Sequence, residues 1–222
     1  YWPAYAEYYC SYGSSKHDCK LENGGNLANG EYLVGPVAEV NGVSYATLAD
    51  AINAAKDGET VNMLASTVCT ENTDLTEVKS VTVDFAQHTF TGDNKNIAIR
   101  SKAEGAGVLT LMNGTITTGD GTYCTLGAAN GSAIVVKDMI LNNSTAFGGS
   151  VKAFPGGTIE LRDSQLNSVK GGGVAAAGGT VNIYNSKIDQ KEYYDWNSMI
   201  AAASNGTGVV NIYGGEFTSE NY

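Results

Sequence analysis

Apolar and polar positions alternate in short bursts along this chain, and the bursts return in a fixed frame. Gly107-Val-Leu-Thr-Leu-Met-Asn-Gly-Thr-Ile116 aligns with Gly157-Thr-Ile-Glu-Leu-Arg-Asp-Ser-Gln-Leu166, with Gly179-Thr-Val-Asn-Ile-Tyr-Asn-Ser-Lys-Ile188 and with Gly208-Val-Val-Asn-Ile-Tyr-Gly-Gly-Glu-Phe217. Ser132 to Leu141 and Val81 to Phe90 fit the same frame. Three offsets stay apolar: Val83/Phe85/Phe90, Leu109/Leu111/Ile116, Ile134/Val136/Leu141, Ile159/Leu161/Leu166, Val181/Ile183/Ile188 and Val210/Ile212/Phe217. Two-residue alternation within each copy predicts a strand with one buried face. A corner follows at Gln87, Asn113, Asp138, Asp163, Asn185 and Gly214, and then another inward residue. Short second strands are predicted at Ile97–Ile99, Val151–Ala153, Val174–Ala176 and Ile200–Ala202.

The period of roughly 25 residues suits a solenoid, in which each unit buries its apolar face only against its neighbours. A leucine-rich repeat has a similar period, but these copies lack its helical half. A propeller blade needs about 40 residues or more. The predicted fold is therefore all-β: a parallel β-helix over 37–222, preceded by an aromatic, cysteine-bearing extension over 1–36. At its start, Val37–Val43 reads as a hairpin around Asn41-Gly42. A capping box, Thr47-Leu-Ala-Asp50, opens a short helix near 47–57 with Leu48, Ile52 and Ala55 on one face and Gly58 as its stop. That helix caps one end of the coil, and the first coil begins at Thr60–Leu64.

Composition adjusts this picture in a few places. The 222 residues include 28 glycines and only 3 prolines, which suits many tight corners. A net charge of −10 argues against nucleic acid and anionic membranes as partners. No run approaches the roughly 18 apolar residues of a membrane span. Lacking an initiating Met and a signal peptide, the chain reads as processed or excised. The four cysteines, Cys10, Cys19, Cys69 and Cys124, allow three pairings; two disulfides in an extracellular protein is the expectation, with buried free thiols as the alternative. Cys10, His17 and Cys19 form a fragmentary zinc set without a fourth ligand.

Tyr45-Ala-Thr-Leu48, Ala51-Ile52, Ala54-Ala55 and Gly58-Glu-Thr-Val61, with Val83-Asp-Phe85 and His88-Thr-Phe90-Thr-Gly92, resemble the opening of pectin-lyase-like β-helix domains. Such domains occur in large surface proteins of Gram-positive, often gut-dwelling, bacteria. The resemblance covers about residues 37 to 222. The family pattern Asp-Leu-Asn-Gly-His-Thr-Ile has Asn-Gly where this chain has Ala86-Gln87, so a different corner is expected there. The resemblance implies a right-handed coil, an extracellular or surface location and, usually, no catalysis. It also makes a Ca²⁺-dependent polysaccharide lyase the enzyme alternative. Such enzymes need clustered carboxylates and a basic residue to abstract a proton, and the only arginines are Arg100 and Arg162.

Asp138 and Asp163 hold equivalent corners of adjacent coils, a spacing compatible with paired carboxylates or a Ca²⁺ ion; Asn113 and Asn185 at the same corner argue for a backbone role instead. His88 has no catalytic neighbour in sequence and reads as structural. The longest insertion, Asp189 to Asn197, carries Tyr193, Tyr194 and Trp196, suited to stacking on sugar rings or to covering a strand face, with Asp195 and Asn197 as polar partners. Tyr184 and Tyr213 are expected side by side on the outer face. These residues are the ligand-binding candidates, for a host glycan or protein. No amphipathic cap follows Phe217, whereas Tyr1, Trp2, Tyr5, Tyr8, Tyr9 and Tyr12 crowd the other terminus. Three explanations remain open: residues 1–36 of one copy cover the last coil of the next, giving a head-to-tail filament with Cys10 or Cys19 as a lock; the chain is cut from a longer β-helix; or it is a self-capped monomer.

Overall fold

The computed structural model describes residues 35–93, 97–119, 122–144, 149–169, 171–192, 198–202 and 207–220. The chain divides into two compact units, Tyr1–Pro36 and Val37–Tyr222. Tyr1, Trp2, Tyr5, Tyr8, Tyr9, Cys10, Tyr12, His17 and Cys19, and Tyr193, Tyr194, Asp195, Trp196 and Asn197, lie outside the described residues. The second unit is a parallel β-solenoid of about six turns, with a single helix among the described residues.

It begins with β1 (Ala38–Val40) and β2 (Val43–Tyr45), paired antiparallel. Asn41 and Gly42 make the predicted turn between them, both with positive φ, at 49° and 76°. Helix α1 (Leu48–Ala54) is capped by Thr47, whose Oγ1 accepts from the Asp50 amide at 3.0 Å. The helix stops before Gly58, because Ala55 is already extended. Lys79 completes the other end. It is only 7% exposed, and its Nζ donates to the carbonyls of Asn53 and Ala55, each at 2.8 Å. A cation there meets both the unpaired last carbonyls and the negative end of the helix dipole.

From β3 (Thr60–Met63) onward, each strand pairing along the solenoid is parallel. The first side of the coil stacks β3, β6 (Ser80–Asp84), β9 (Val108–Thr118), β11 (Ala133–Asn143), β13 (Thr158–Arg162), β16 (Thr180–Tyr184) and β19 (Val209–Ile212) in that order. Beyond the corner, β4 (Thr67–Cys69), β7 (Thr89–Gly92), the second halves of β9 and β11, β14 (Gln165–Ser168), β17 (Ser186–Gln190) and β20 (Gly215–Ser219) continue the sheet. A separate six-stranded sheet closes the coil: β5 (Thr73–Leu75), β8 (Ile97–Ser101), β10 (Cys124–Ala128), β12 (Gly149–Ala153), β15 (Gly172–Ala176) and β18 (Ile200–Ala202). The four second strands expected from sequence are all present, and β5 and β10 extend the series.

Pairing is in register, so like residues stack. Leu109, Ile134, Ile159 and Val181 form one buried column; Leu111, Val136, Leu161 and Ile183 form the next; Ile116, Leu141, Leu166 and Ile188 a third. Ile99, Leu126, Val151 and Val174 face them from the second sheet. The corners need a left-handed backbone, and Asn113, Asp138, Asp163 and Asn185 supply it with φ of 61°, 52°, 49° and 45°.

One alignment is corrected by the register. Val81 and Val83, rather than Val83 and Phe85, pair with Leu109 and Leu111, whereas Phe90 pairs with Ile116 as expected. The first corner is therefore longer, with both Ala86 and Gln87 at positive φ. Phe85 turns inward there and is fully buried. Gly114 in the next coil makes the room, since a Cβ on it would lie 2.3 Å from the Phe85 Cβ.

The interior also holds a polar column that sequence alternation did not announce. Thr118, Asn143, Ser168 and Gln190 are buried in register. Thr118 Oγ1 shares a 2.9 Å hydrogen bond with Thr125 Oγ1, Asn143 Nδ2 donates to Ser150 Oγ at 2.7 Å, and Ser168 Oγ and Gln190 Nε2 both donate to the Gly171 carbonyl. Satisfied in this way, buried polar groups need not cost stability.

Leu161→Asp is expected to abolish the cooperative thermal transition, because it places an unpaired charge between stacked coils; unchanged far-UV circular dichroism and melting would contradict the inward column. Ala86→Asn with Gln87→Gly is expected to raise stability by roughly 1 kcal/mol, since both wild-type side chains sit in the left-handed region. Urea titration of the double variant measures this, and an unchanged or lower midpoint would show that the corner is not strained.

Candidate functional site

Two outer surfaces of the solenoid gather chemistry. The first lies on the strands before the corner. Outward residues one coil apart are about 4.8 Å from each other, close to the stacking distance of planar groups. Arg162, Tyr184 and Tyr213 occupy such positions near the ends of their strands. The Arg162 guanidinium carbon lies 4.1 Å from the Tyr184 ring centre, and the Tyr184 and Tyr213 rings are 4.7 Å apart at 9°. Glu160 holds the guanidinium through its Oε2, 2.9 Å from Nε and 2.6 Å from Nη2, which raises the arginine pKa further. Beside the stack, Asn211 Nδ2 donates to Asn182 Oδ1 at 2.9 Å. The expected adjacency of Tyr184 and Tyr213 is thus observed, and Tyr213 is 58% exposed.

The second surface lies on the strands after the corner and was not foreseen. Its column runs Thr117, Asn142, Asn167, Asp189, Thr218 in register. A cleft of ≈ 530 Å³ opens over it, walled also by Gln165 and Lys191. Gln165 Nε2 donates to Asn167 Oδ1 and Asn167 Nδ2 to Asn142 Oδ1, both at 2.8 Å. Lys187 Nζ lies 3.2 Å from the Asp189 carboxylate, which also accepts from the Thr218 hydroxyl. The available signal was the polar residue between the inward pair Leu141/Asn143 and its counterparts in later copies.

On the second sheet, Asp74 is clamped by Arg100, with Nε and Nη2 each 2.6 Å from its oxygens, and by Lys102 at 2.9 Å. Burial pushes the Asp74 carboxyl up, and the hydrogen bonds from Arg100 and Lys102 more than reverse this, leaving it below its ordinary value. Both arginines are therefore committed to carboxylates. Asp138 and Asp163 occupy corners, where their left-handed backbone is what the coil uses. Asp138 lies 3.9 Å from Lys137 Nζ. No group of three or more His, Cys, Asp or Glu is placed to hold a metal ion among the described residues. His88 works through its backbone, donating to the Phe85 carbonyl and accepting from the Thr115 amide.

The disulfide expectation is corrected at Cys69 and Cys124, which are free thiols. Cys69 ends β4 in the first coil, and Cys124 opens β10 two coils further along, in the other sheet. That places them about 10 Å apart along the axis alone, beyond the roughly 7 Å Cα separation a disulfide spans. Cys69 Sγ donates to the Glu71 carbonyl at 3.2 Å. Burial pushes the Cys124 thiol up to about 12.

The fold and surfaces define a parallel β-solenoid with polar and aromatic columns on its outer faces. No family model, curated protein or solved structure matches the chain significantly.

Alkylation of the native protein with iodoacetamide is expected to modify Cys69 and spare Cys124 until the chain unfolds, because a thiol with so high a pKa supplies little thiolate. Peptide mapping without reduction checks both points; a Cys69–Cys124 peptide, or equal labelling of the two, would contradict this geometry.

Proposed function

We propose that this chain is a non-enzymatic extracellular β-helix of the pectin-lyase-like kind carried by Gram-positive surface proteins, adhesin or structural in type, whose copies assemble head to tail. The observation that carries the assembly is the state of the last described coil. Ile212 continues the column of Leu111, Val136, Leu161 and Ile183, yet it is 49% exposed. Val210 and Phe217 are only partly covered. Among the described residues, β18, β19 and β20 each have a parallel neighbour on one side alone. At the other end of the long sheet, β2 is also an edge strand, and Val43 is 55% exposed. An open edge beside exposed apolar side chains is a template for another chain. A contact between unlike ends repeats without limit unless it closes into a ring. The aromatic segment 1–36 of a neighbouring copy is the proposed cover.

The non-enzymatic part is supported by the two arginines. Hydrogen bonds donated to Asp74 and Glu160 raise the guanidinium pKa of Arg100 and Arg162, the direction opposite to that needed by a proton-abstracting base.

Sedimentation of the full chain over a range of concentrations, with electron microscopy of the heaviest fraction, tests the assembly. The wild-type chain is expected to form growing head-to-tail oligomers. Ile212→Glu and deletion of residues 1–36 are each expected to leave folded monomers. A wild-type chain that stays monomeric throughout, or variants that assemble equally well, would refute it.

A further inference from the structure

We infer that the cleft over Asn142 and Asn167 binds a linear, neutral polysaccharide, lying along the solenoid axis. The inference deepens the adhesin side of the function proposed above, and it does not depend on assembly.

Shape comes first. The cleft's floor takes one residue from each coil, through Thr117, Asn142, Asn167 and Asp189, and Glu220 lines its far end. At about 4.8 Å per coil, the floor is an elongated track rather than a pit. A ligand that fills it must itself be extended and repetitive.

Chemistry comes next. From Thr117 to Asn167 the track carries hydroxyls and carboxamides, each of which both donates and accepts, and the charged Asp189, Lys191 and Glu220 stand toward its far end. Their mutual hydrogen bonds fix their orientation without exhausting them. Asn167 gives one N–H to Asn142 and accepts one from Gln165. A carboxamide has two N–H donors and two lone pairs, so Asn167 keeps one N–H and one lone pair for a ligand. Ligand hydroxyls have the same dual character. Side chains held in place before binding lose little further freedom when it occurs.

Other ligand classes fit worse. Among the described residues, an apolar ligand would meet Val169 as the one apolar side chain lining the cleft. A polyanion would meet the carboxylates of Asp189 and Glu220 beside Lys191, on a chain of net charge −10. A peptide adding as a strand would need an open backbone edge, but β14 pairs with β11 and β17, and β17 pairs with β14 and β20. A chain rich in neutral hydroxyls is the class that the track satisfies.

Native affinity electrophoresis of the full chain tests this, in gels containing a soluble mixed-linkage β-glucan, a xylan or a galactomannan, with polygalacturonate as the anionic comparison. At least one neutral polymer is expected to retard the wild-type chain, with no retardation by polygalacturonate. Asn142→Ala with Asn167→Ala is expected to weaken that affinity about tenfold or more, the scale of losing two hydrogen-bonding side chains. The melting temperature is measured alongside, and Gln165→Ala serves as a milder second variant expected to weaken binding in the same gel. Glu104→Gln, at an exposed residue outside the cleft lining, is expected to bind as the wild type does. The inference is overturned if none of the three neutral polymers retards the chain, if polygalacturonate is the preferred ligand, or if folded cleft variants migrate like the wild type. Binding is read on the monomer fraction, so a failure here and a failure of assembly are separate results.

Discussion

In-register parallel pairing between successive coils is the constraint on which the rest of this structure depends. It stacks the backbone at about 4.8 Å and repeats whatever side chain stands at a given offset. Leu111, Val136, Leu161 and Ile183 become a column because their strands pair residue for residue. The same rule brings Tyr184 onto Tyr213 and Asn167 onto Asn142. It also demands that every coil turn at the same place, which Asn113, Asp138, Asp163 and Asn185 do with a left-handed backbone.

A column protects its members only where it has neighbours on both sides. Leu161 is sealed by Val136 and Ile183, whereas among the described residues Ile212 is paired on one side, with Ile183. At the other end the chain changes its architecture. β1 runs antiparallel to β3, and α1 packs Leu48, Ala51 and Ile52 into the core. Lys79 binds that helix to the second coil through carbonyls at its C-terminal end. The two ends therefore present different surfaces, a condition for any contact that joins unlike ends.

The outer columns differ from the inner ones in what they can do. Inside, the buried hydroxyls and carboxamides of Thr118, Asn143, Ser168 and Gln190 bond to one another's neighbours and to backbone, which joins the two sheets. One residue earlier in each strand, Thr117, Asn142, Asn167 and Asp189 point the other way, to the cleft. Strand alternation turns one polar column into the interior and its neighbour outward.

Much of this architecture was legible in the residues themselves. Period, inward offsets, hairpin, capping box and corner positions are local patterns, and local patterns survive without knowing which coils touch. The second-sheet strands Ile97–Ile99, Val151–Ala153, Val174–Ala176 and Ile200–Ala202 were readable for the same reason. The first corner was not. Val83 and Phe85 alternate like any strand pair, and only pairing with β9 shows that Phe85 has left the strand to fill the space above Gly114. Nor was the separation of Cys69 from Cys124 readable, because it depends on which coil and which sheet each strand joins. The cleft is the same case. Gln165, Asn167 and Asn142 are ordinary polar residues along the chain, and they become one surface only when tertiary pairing sets the coils side by side. The sequence by itself determined the coil and its repeating faces, through local alternation; tertiary structure decided which side chains meet, because contacts between coils depend on register summed over long stretches of chain.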